Sequence, residues 1–422
     1  EEALDALSKA RAIDAAIPQV NGQMGLVLRE LGRVDEALER VTEEARRYPG
    51  VARNHNNLGT TLIAAGRERD AEAAFVEAVR IDRNYAMAYT NLAGLLQKRG
   101  ELAGAEAAWR EVVRLLPADT RALLQLGLVL TSRWHPADAE PFLRRACELA
   151  PQDPEPARLL AYVLKRLNRA DEAREVARGI LARDPADLQA AVVEALALPA
   201  VPASADAVAR AREAYAKGLD SLVAREALFA MNAAQVLRLQ SENFHLAYQG
   251  GDDRVLQAKY AGFLARLGER AEPRFYAART RRPIAKGERI RVGFEVFVYY
   301  TAYIRDAFSE ALAREVEHHR HIVDTVPRIA EIVLADALDV LVFPDVGMDT
   351  ASYLLAGMRL APAQAAGWGH PGTTGQGAID AYFTCAAMEP EGAEAHYTER
   401  LERLPGIGTR YARPVPSSTK SR

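Results

Sequence analysis

The chain has 422 residues, with 54 Lys and Arg against 57 Asp and Glu, a net charge of −3. That balance gives no basic field for nucleic acid, and the length suits two or three domains of about 150 residues each. The only cysteines, Cys147 and Cys385, fall in different candidate domains, which argues against a disulfide scaffold and fits a reducing cytoplasm; no stretch is long and apolar enough to span a bilayer.

The first part of the chain, 1–185, repeats with a period of 34. Small residues recur at Gly25, Gly59, Ala93, Gly127 and Ala161, and alanines at Ala37, Ala71, Ala105, Ala139 and Ala173. Prolines close units at Pro49, Pro117, Pro151 and Pro185, with Arg83 the exception. A large apolar residue stands four after most of the alanines: Val41, Phe75, Trp109 and Leu143. This is the tetratricopeptide pattern of helix pairs. It predicts that the small residue lets the two helices of a unit approach, and that the bulky residue fills the gap to the next unit. Ala3, Leu7 and Ala10 occupy second-helix positions, so the phase predicts that the chain begins inside a repeat.

One column of the array carries chemistry. The residue two before the small position is Gln23, Asn57, Asn91 and Gln125, lapsing at Leu159. One position per repeat forms a line along the concave face of a stacked array. A primary amide offers donor and acceptor together, so a row of amides suits the backbone of an extended peptide. The plainer alternative is a polar lining for a solvated groove.

Residues 186–288 lose the period and are expected to form a helical connection. Pro199 to Ser204 reads as a loop, with helices at 206–218, 221–239 and 255–267. His245 and Tyr248 sit in a turn-bearing segment and either line a cleft or pack it. The basic run 274–289 reads as a linker.

From 289 to 405 the pattern alternates between apolar runs and helical periods, which predicts a partial Rossmann-like lobe. Strands are expected at 290–294, 295–300, 321–325, 339–343, 362–369 and 379–384. Helices are expected at 306–317, 327–335, 350–359 and 389–404, with Asp349 or Thr350 as an N-cap. Nothing separates the first two strands, although a parallel crossover needs a dozen residues or more. His318, His319 and His321 match no zinc spacing and read as a solvated helix end. The tail, 406–422, has no periodicity.

The candidate site is the pair of loops 344–349 and 370–375, which share an edge if the strands before them are parallel. They contain Gly347, then His370, Gly372, Thr373, Thr374 and Gly375. His370 either meets a ligand or caps the strand end. Asp345 is expected to satisfy loop N–H groups, and Trp368 to be core.

The order of parts carries a resemblance. The array leads through Asn-Phe-His-Leu-Ala-Tyr-Gln-Gly (243–250) to Arg-Val-Gly-Phe (291–294). Next come Asp-Val-Leu-Val-Phe-Pro-Asp-Val-Gly-Met-Asp (339–349) and Arg-Leu-Ala-Pro-Ala-Gln (359–364). Trp-Gly-His-Pro-Gly-Thr-Thr-Gly (368–375) and His-Tyr-Thr-Glu-Arg-Leu-Glu-Arg-Leu-Pro (396–405) complete the set. This resembles the O-GlcNAc transferase / SPINDLY family of protein O-glycosyltransferases, in a bacterial form. The resemblance implies an inverting enzyme of two Rossmann-like lobes (GT-B type), cytoplasmic, moving sugar from a nucleotide donor to Ser or Thr of a protein held along the array. It implies no cofactor, with the nucleotide sugar as substrate; the histidine spacing gives no metal site. It puts Gly372, Thr373, Thr374 and Gly375 beside the donor sugar and diphosphate, and Asn57 and Asn91 in the family's asparagine ladder, with Gln23 and Gln125 as variants.

Two departures stand against full activity. The family's His-bearing segment after the first strand of the lobe is missing where Phe294 meets Glu295. The second lobe would follow residues 404–405, and the chain stops soon after. The expectation is an incomplete catalytic region with no turnover by itself. A non-catalytic peptide-binding scaffold with a degenerate lobe, and an unrelated nucleotide-binding enzyme with a repeat domain, remain the alternatives.

Overall fold

The structure is a computed structural model that describes residues 1–14, 18–230, 233–239, 244–249, 251–279, 296–301, 307–344, 346, 349–367 and 372–405. The expected strand at 290–294, the Phe294–Glu295 junction and the tail lie outside the described residues. The chain divides into two compact units, Glu1–Val163 and Leu164–Arg422.

The first unit is a tetratricopeptide array. It runs α1 (Glu2–Ile13), α2 (Val20–Glu30), α3 (Val34–Arg47), α4 (Ala52–Ala64) and α5 (Glu68–Ile81). Then follow α6 (Ala86–Lys98), α7 (Leu102–Leu115), α8 (Thr120–Ser132), α9 (Pro136–Leu149) and α10 (Pro154–Arg166), the last crossing the division. Helices pair within each unit, α2 with α3, α4 with α5 and so on, and α2, α4 and α6 also touch in succession. The periodic alanines, Ala37, Ala71, Ala105 and Ala139, are fully buried. The bulky residues also pack against the small ones. A Cβ added at Gly59 would stand 2.5 Å from Phe75, and one at Gly127 would stand 2.5 Å from Leu143. The bulky side chain therefore lies on the small residue of its own helix pair, because the missing Cβ leaves room for it there. Neighbouring units are tied by Arg99 with Glu72 at 2.5 Å and by Arg133 with Glu106, two ion pairs exactly one period apart.

The turn between paired helices needs a left-handed residue. Gly32, Gly66 and Gly100 supply it in three units, and Trp134 takes the same place with φ 63° in the next. A side chain there is strained, yet the Trp134 ring is 69% exposed.

The second unit begins with α11 (Ala170–Leu181), α12 (Leu188–Leu196), α13 (Ala205–Ala224) and α14 (Glu226–Ala230). Two 3-10 turns, Ala233–Arg238 and Phe244–Gln249, lead to α15 (Arg254–Ala271) and α16 (Pro273–Tyr276). The remainder is β1 (Phe297–Tyr300), α17 (Ala307–Glu315), β2 (His318–His321), α18 (Val326–Ala335), β3 (Val340–Phe343) and α19 (Thr350–Ala356). It ends with β4 (Ala363–Gly367), β5 (Ala381–Cys385), a 3-10 turn Ala393–His396 and β6 (Arg400–Leu404). β3-β4-β5-β6 form a parallel sheet in that order, and β1 and β2 form a separate parallel pair. The fold is thus a helical repeat array followed by an α/β region with small parallel sheets.

The expected connection is part of the lobe. One apolar core runs from Leu188 through Phe229, Tyr260 and Phe275 to Tyr353, Tyr382 and Tyr397. Tyr260 of α15 stacks on Tyr353 of α19 at 6.1 Å. The described part of the expected linker is also anchored: Arg359 N donates to Phe275 O at 2.7 Å, and Arg279 Nε to Arg359 O at 2.6 Å.

Two further expectations are corrected. Residues 389–404 are not a helix but a 3-10 turn and β6. Gly392 turns left-handed at φ 81°, and β6 pairs with β5 from Ala381↔Arg400 to Cys385↔Leu404. The open edge of β5 outweighs the helix propensity of the Ala- and Glu-rich run. The three histidines are in strand β2, not at a helix end. Their rings lie on aromatic neighbours, His318 on Phe297 at 4.3 Å and His321 near Tyr300 at 5.5 Å.

Candidate functional site

β3 and β4 are parallel, so the loops that follow them leave the same edge. Asp345, Gly347, Trp368 and His370 lie outside the described residues. Asp349 is the N-cap of α19, its Oδ1 accepting from Ser352 N at 2.8 Å. The return from α19 to β4 is fixed by Gln364, a buried amide with every group bonded. Its Oε1 accepts from Leu360 N at 2.7 Å and Ala361 N at 3.2 Å, and its Nε2 donates to Met358 O at 2.8 Å and Ala378 O at 3.1 Å.

Thr373 and Thr374 are buried, and Glu399 holds both. Glu399 Oε2 accepts from Thr373 Oγ1 at 2.6 Å; Oε1 accepts from Thr374 N at 2.8 Å and from Thr374 Oγ1. The hydroxyl oxygens accept in turn: Thr373 Oγ1 from Gly375 N at 3.2 Å and Thr398 N at 3.1 Å, and Thr374 Oγ1 from Gln376 N at 3.1 Å. Thr373 and Thr398 also share a hydrogen bond at 2.8 Å. The hydroxyls and the N–H groups of residues 374–376 are therefore engaged inside the protein. Glu399 directly precedes β6, whose start pairs with the start of β5. The described loop thus lies on the chain's return across the sheet. Gly375 is required there twice over: its φ is +70°, and a Cβ would come within 2.4 Å of the Gln257 carbonyl carbon in α15.

Gly372 and Thr373 form one wall of a cleft of about 220 Å³. The other walls come from Gly251, Asp252 and Asp253 before α15 and from Glu389, His396 and Tyr397 between β5 and β6. Arg212 anchors the first segment, bonding Asp253 Oδ1 at 2.6 Å and the Leu246 and Asp252 carbonyls. Arg254 Nη1 crosses to Ala395 O at 3.0 Å. Arg254 N bonds Asp252 Oδ1 at 3.0 Å, and His396 Nδ1 lies 3.4 Å from Asp252 Oδ2. The Arg254 N–H, then His396, hold the Asp252 carboxyl below its ordinary value. Glu389 Oε1 accepts from Tyr397 Oη at 2.7 Å and Thr384 Oγ1 at 3.0 Å. Burial, then Glu389, pushes the Tyr397 phenol well up, so it stays a neutral donor. Of the segment flagged in sequence, Ala247 lines the cleft and His245 does not; the Tyr248 side chain is outside the described residues.

Asp252, Asp253, Glu389 and Glu399 had no assigned role in sequence. Asp252 and Asp253 stood in the turn-bearing segment, Glu389 at the start of the expected helix and Glu399 in the His-Tyr-Thr-Glu motif, where a hydroxyl and a carboxylate directly after Tyr397 were the one signal available.

The amide column lies on successive first helices: exposed Gln23 in α2, buried Asn57 in α4, and half-buried Asn91 and Gln125 in α6 and α8. Asn91 Nδ2 donates to Asn56 Oδ1 at 2.7 Å, and Gln125 Oε1 accepts from Gln97 Nε2 at 3.1 Å. The side-chain amides of Gln23 and Asn57 bond no described residue. Near β2, His319 Nε2 is buried and makes no hydrogen bond among the described residues. No group of three metal-ligating side chains occurs among the described residues, and none of their helices is long and apolar enough to cross a membrane.

Tetratricopeptide repeat family models match residues 52–85 and 86–116. No curated protein matches the chain in sequence. Among solved structures, it is similar to YrrB, a TPR protein with an unusual peptide-binding site, at 21% identity over 46% of this chain and 97% of that one, TM-score 0.38. It is similar to a mutant Thermobaculum terrenum O-GlcNAc transferase at 20% identity over 84% of this chain and 57% of that one, TM-score 0.36. MamA from Desulfovibrio magneticus gives 22% identity over 40% and 97%, TM-score 0.36. The chain contains tetratricopeptide repeats.

Proposed function

We propose that this chain serves protein O-glycosylation. The array holds an extended stretch of the acceptor protein, and the α/β lobe takes part in moving a sugar from a nucleotide donor to its Ser or Thr. The observation that carries the reading is the pairing, in one chain, of an amide-bearing repeat array with a polar cleft walled by Gly372 and Thr373. The amides of Gln23 and Asn57, unbonded among the described residues, supply donor and acceptor groups for a peptide backbone. Asp252, Glu389 and the Tyr397 side chain suit sugar hydroxyls, since carboxylates accept them strongly. They do not suit a diphosphate, which like charges repel. Phosphate contacts on this reading come from elsewhere in the protein.

A second reading is a non-catalytic peptide-holding scaffold. It is favoured by the internal engagement of the Thr373 and Thr374 hydroxyls and of the N–H groups of residues 374–376. The test is expression of the whole reading frame with a Ser/Thr-rich acceptor protein, read by intact mass. A gain of one sugar that Asp252→Asn/Glu389→Gln abolishes and Asn57→Ala/Asn91→Ala reduces supports transfer. Binding of the acceptor without any mass gain would sink transfer and leave the scaffold.

A further inference from the structure

We propose that Glu399 is a positioning residue for the donor site: its carboxylate clamps loop 372–375 in the shape that presents Gly372 and Thr373 to the cleft. The inference deepens the transfer reading and rests on it for the identity of the ligand. Glu399 is 7% exposed, and among the described residues no Arg, Lys or His pairs with it. A buried carboxylate without a cation is costly for folding unless donors surround it. Here three donors do, and all three belong to Thr373 and Thr374. By taking both hydroxyl hydrogens, Glu399 turns the hydroxyl lone pairs toward the N–H groups of Gly375, Gln376 and Thr398. One carboxylate thus orders six hydrogen bonds. The far end of the loop is pinned separately, by Gly375 against α15. The near end, Gly372 and Thr373, has the clamp as its support on the side of β6.

Glu399→Gln keeps the size but exchanges one acceptor for a donor aimed at a hydroxyl hydrogen. The experiment measures amide hydrogen exchange and donor kinetics in the protein from the whole reading frame. In Glu399→Gln, the amides of residues 374–376 exchange roughly tenfold faster or more, while those of β4 and α15 are unchanged. The donor KM rises roughly tenfold with little change in kcat, as expected for lost positioning in the ground and transition states alike. Unchanged exchange at 374–376 overturns the clamp. Faster exchange with an unchanged donor KM overturns its role in the site. If the wild-type protein transfers no sugar, the transfer reading fails, and the exchange measurement still decides the clamp. Glu399→Ala is the harsher variant; should it fail to fold, the Gln variant carries the result.

Discussion

The array and the lobe are held together by different kinds of contact. In the array the bulky side chains Val41, Phe75 and Leu143 rest on Gly25, Gly59 and Gly127 of the adjacent helix, an arrangement set by the period. Stability there is close to a sum over neighbouring units. In the lobe, residues as far apart as Leu188 and Tyr397 share one core, and single polar side chains tie several segments at once. Gln364 joins three backbone stretches and Glu399 two. Damage to the array should therefore stay local, whereas a clash or a stranded group set against the lobe's shared core should reach the whole second unit and its cleft; the Glu399 clamp, which ties one loop to the start of β6, is the local exception.

The largest expected effect tests the local side of that contrast. Phe75→Ala empties the space over Gly59 and should cost about 3–5 kcal/mol. Hydrogen exchange should rise in α4 to α7 and leave the amides of α15 and β4 unchanged; spreading to the lobe would remove the distinction. Gly375→Ala combines a left-handed backbone with a clash against Gln257 and should cost about 3 kcal/mol. Urea unfolding followed by the lobe's aromatic signals should show one cooperative shift, not loss of a single loop. Gln364→Leu strands the Leu360 and Ala361 N–H groups and should cost about 2–3 kcal/mol in the same assay.

A smaller effect is one of pH. Asp252 is held below its ordinary value by the Arg254 N–H and His396, and Glu394 is brought down to about 2 by Arg403. A carboxyl depressed in the folded state stabilises it above the unfolded value, about 4. That stabilisation is lost as pH falls through the folded value. The cleft rim at Ala393–His396 should loosen between about pH 4 and 2, visible as faster exchange there. Asp252→Asn should remove part of that dependence. The smallest expected change is a gain. Trp134→Gly relieves a left-handed side chain and should stabilise the array by about 0.5–1 kcal/mol, read as a raised urea midpoint.

How far each region can be read from sequence follows from the same contrast. The array's period, its alanine column and its helix pairs are legible because each contact joins residues a few positions or one period apart. The parallel β3–α19–β4 unit and the Asp349 cap are legible for a similar reason, since hydrophobic runs and capping residues act over a few neighbours. The fate of 389–404 is not legible. Its Ala- and Glu-rich run favours a helix locally, and only the free edge of β5 makes Arg400–Leu404 a strand. The histidines likewise became a strand through Phe297 and Tyr300 on a neighbouring one. In the candidate site, Gly372 to Gly375 stand out in sequence as a Gly-Thr-Thr-Gly run, but the residues that shape them do not. Glu399, Asp252 and Glu389 reach the loop or the cleft from separate segments of the chain. A pattern of neighbours determines helices, caps and repeats; which distant carboxylate meets which hydroxyl is decided only when the core brings the segments together.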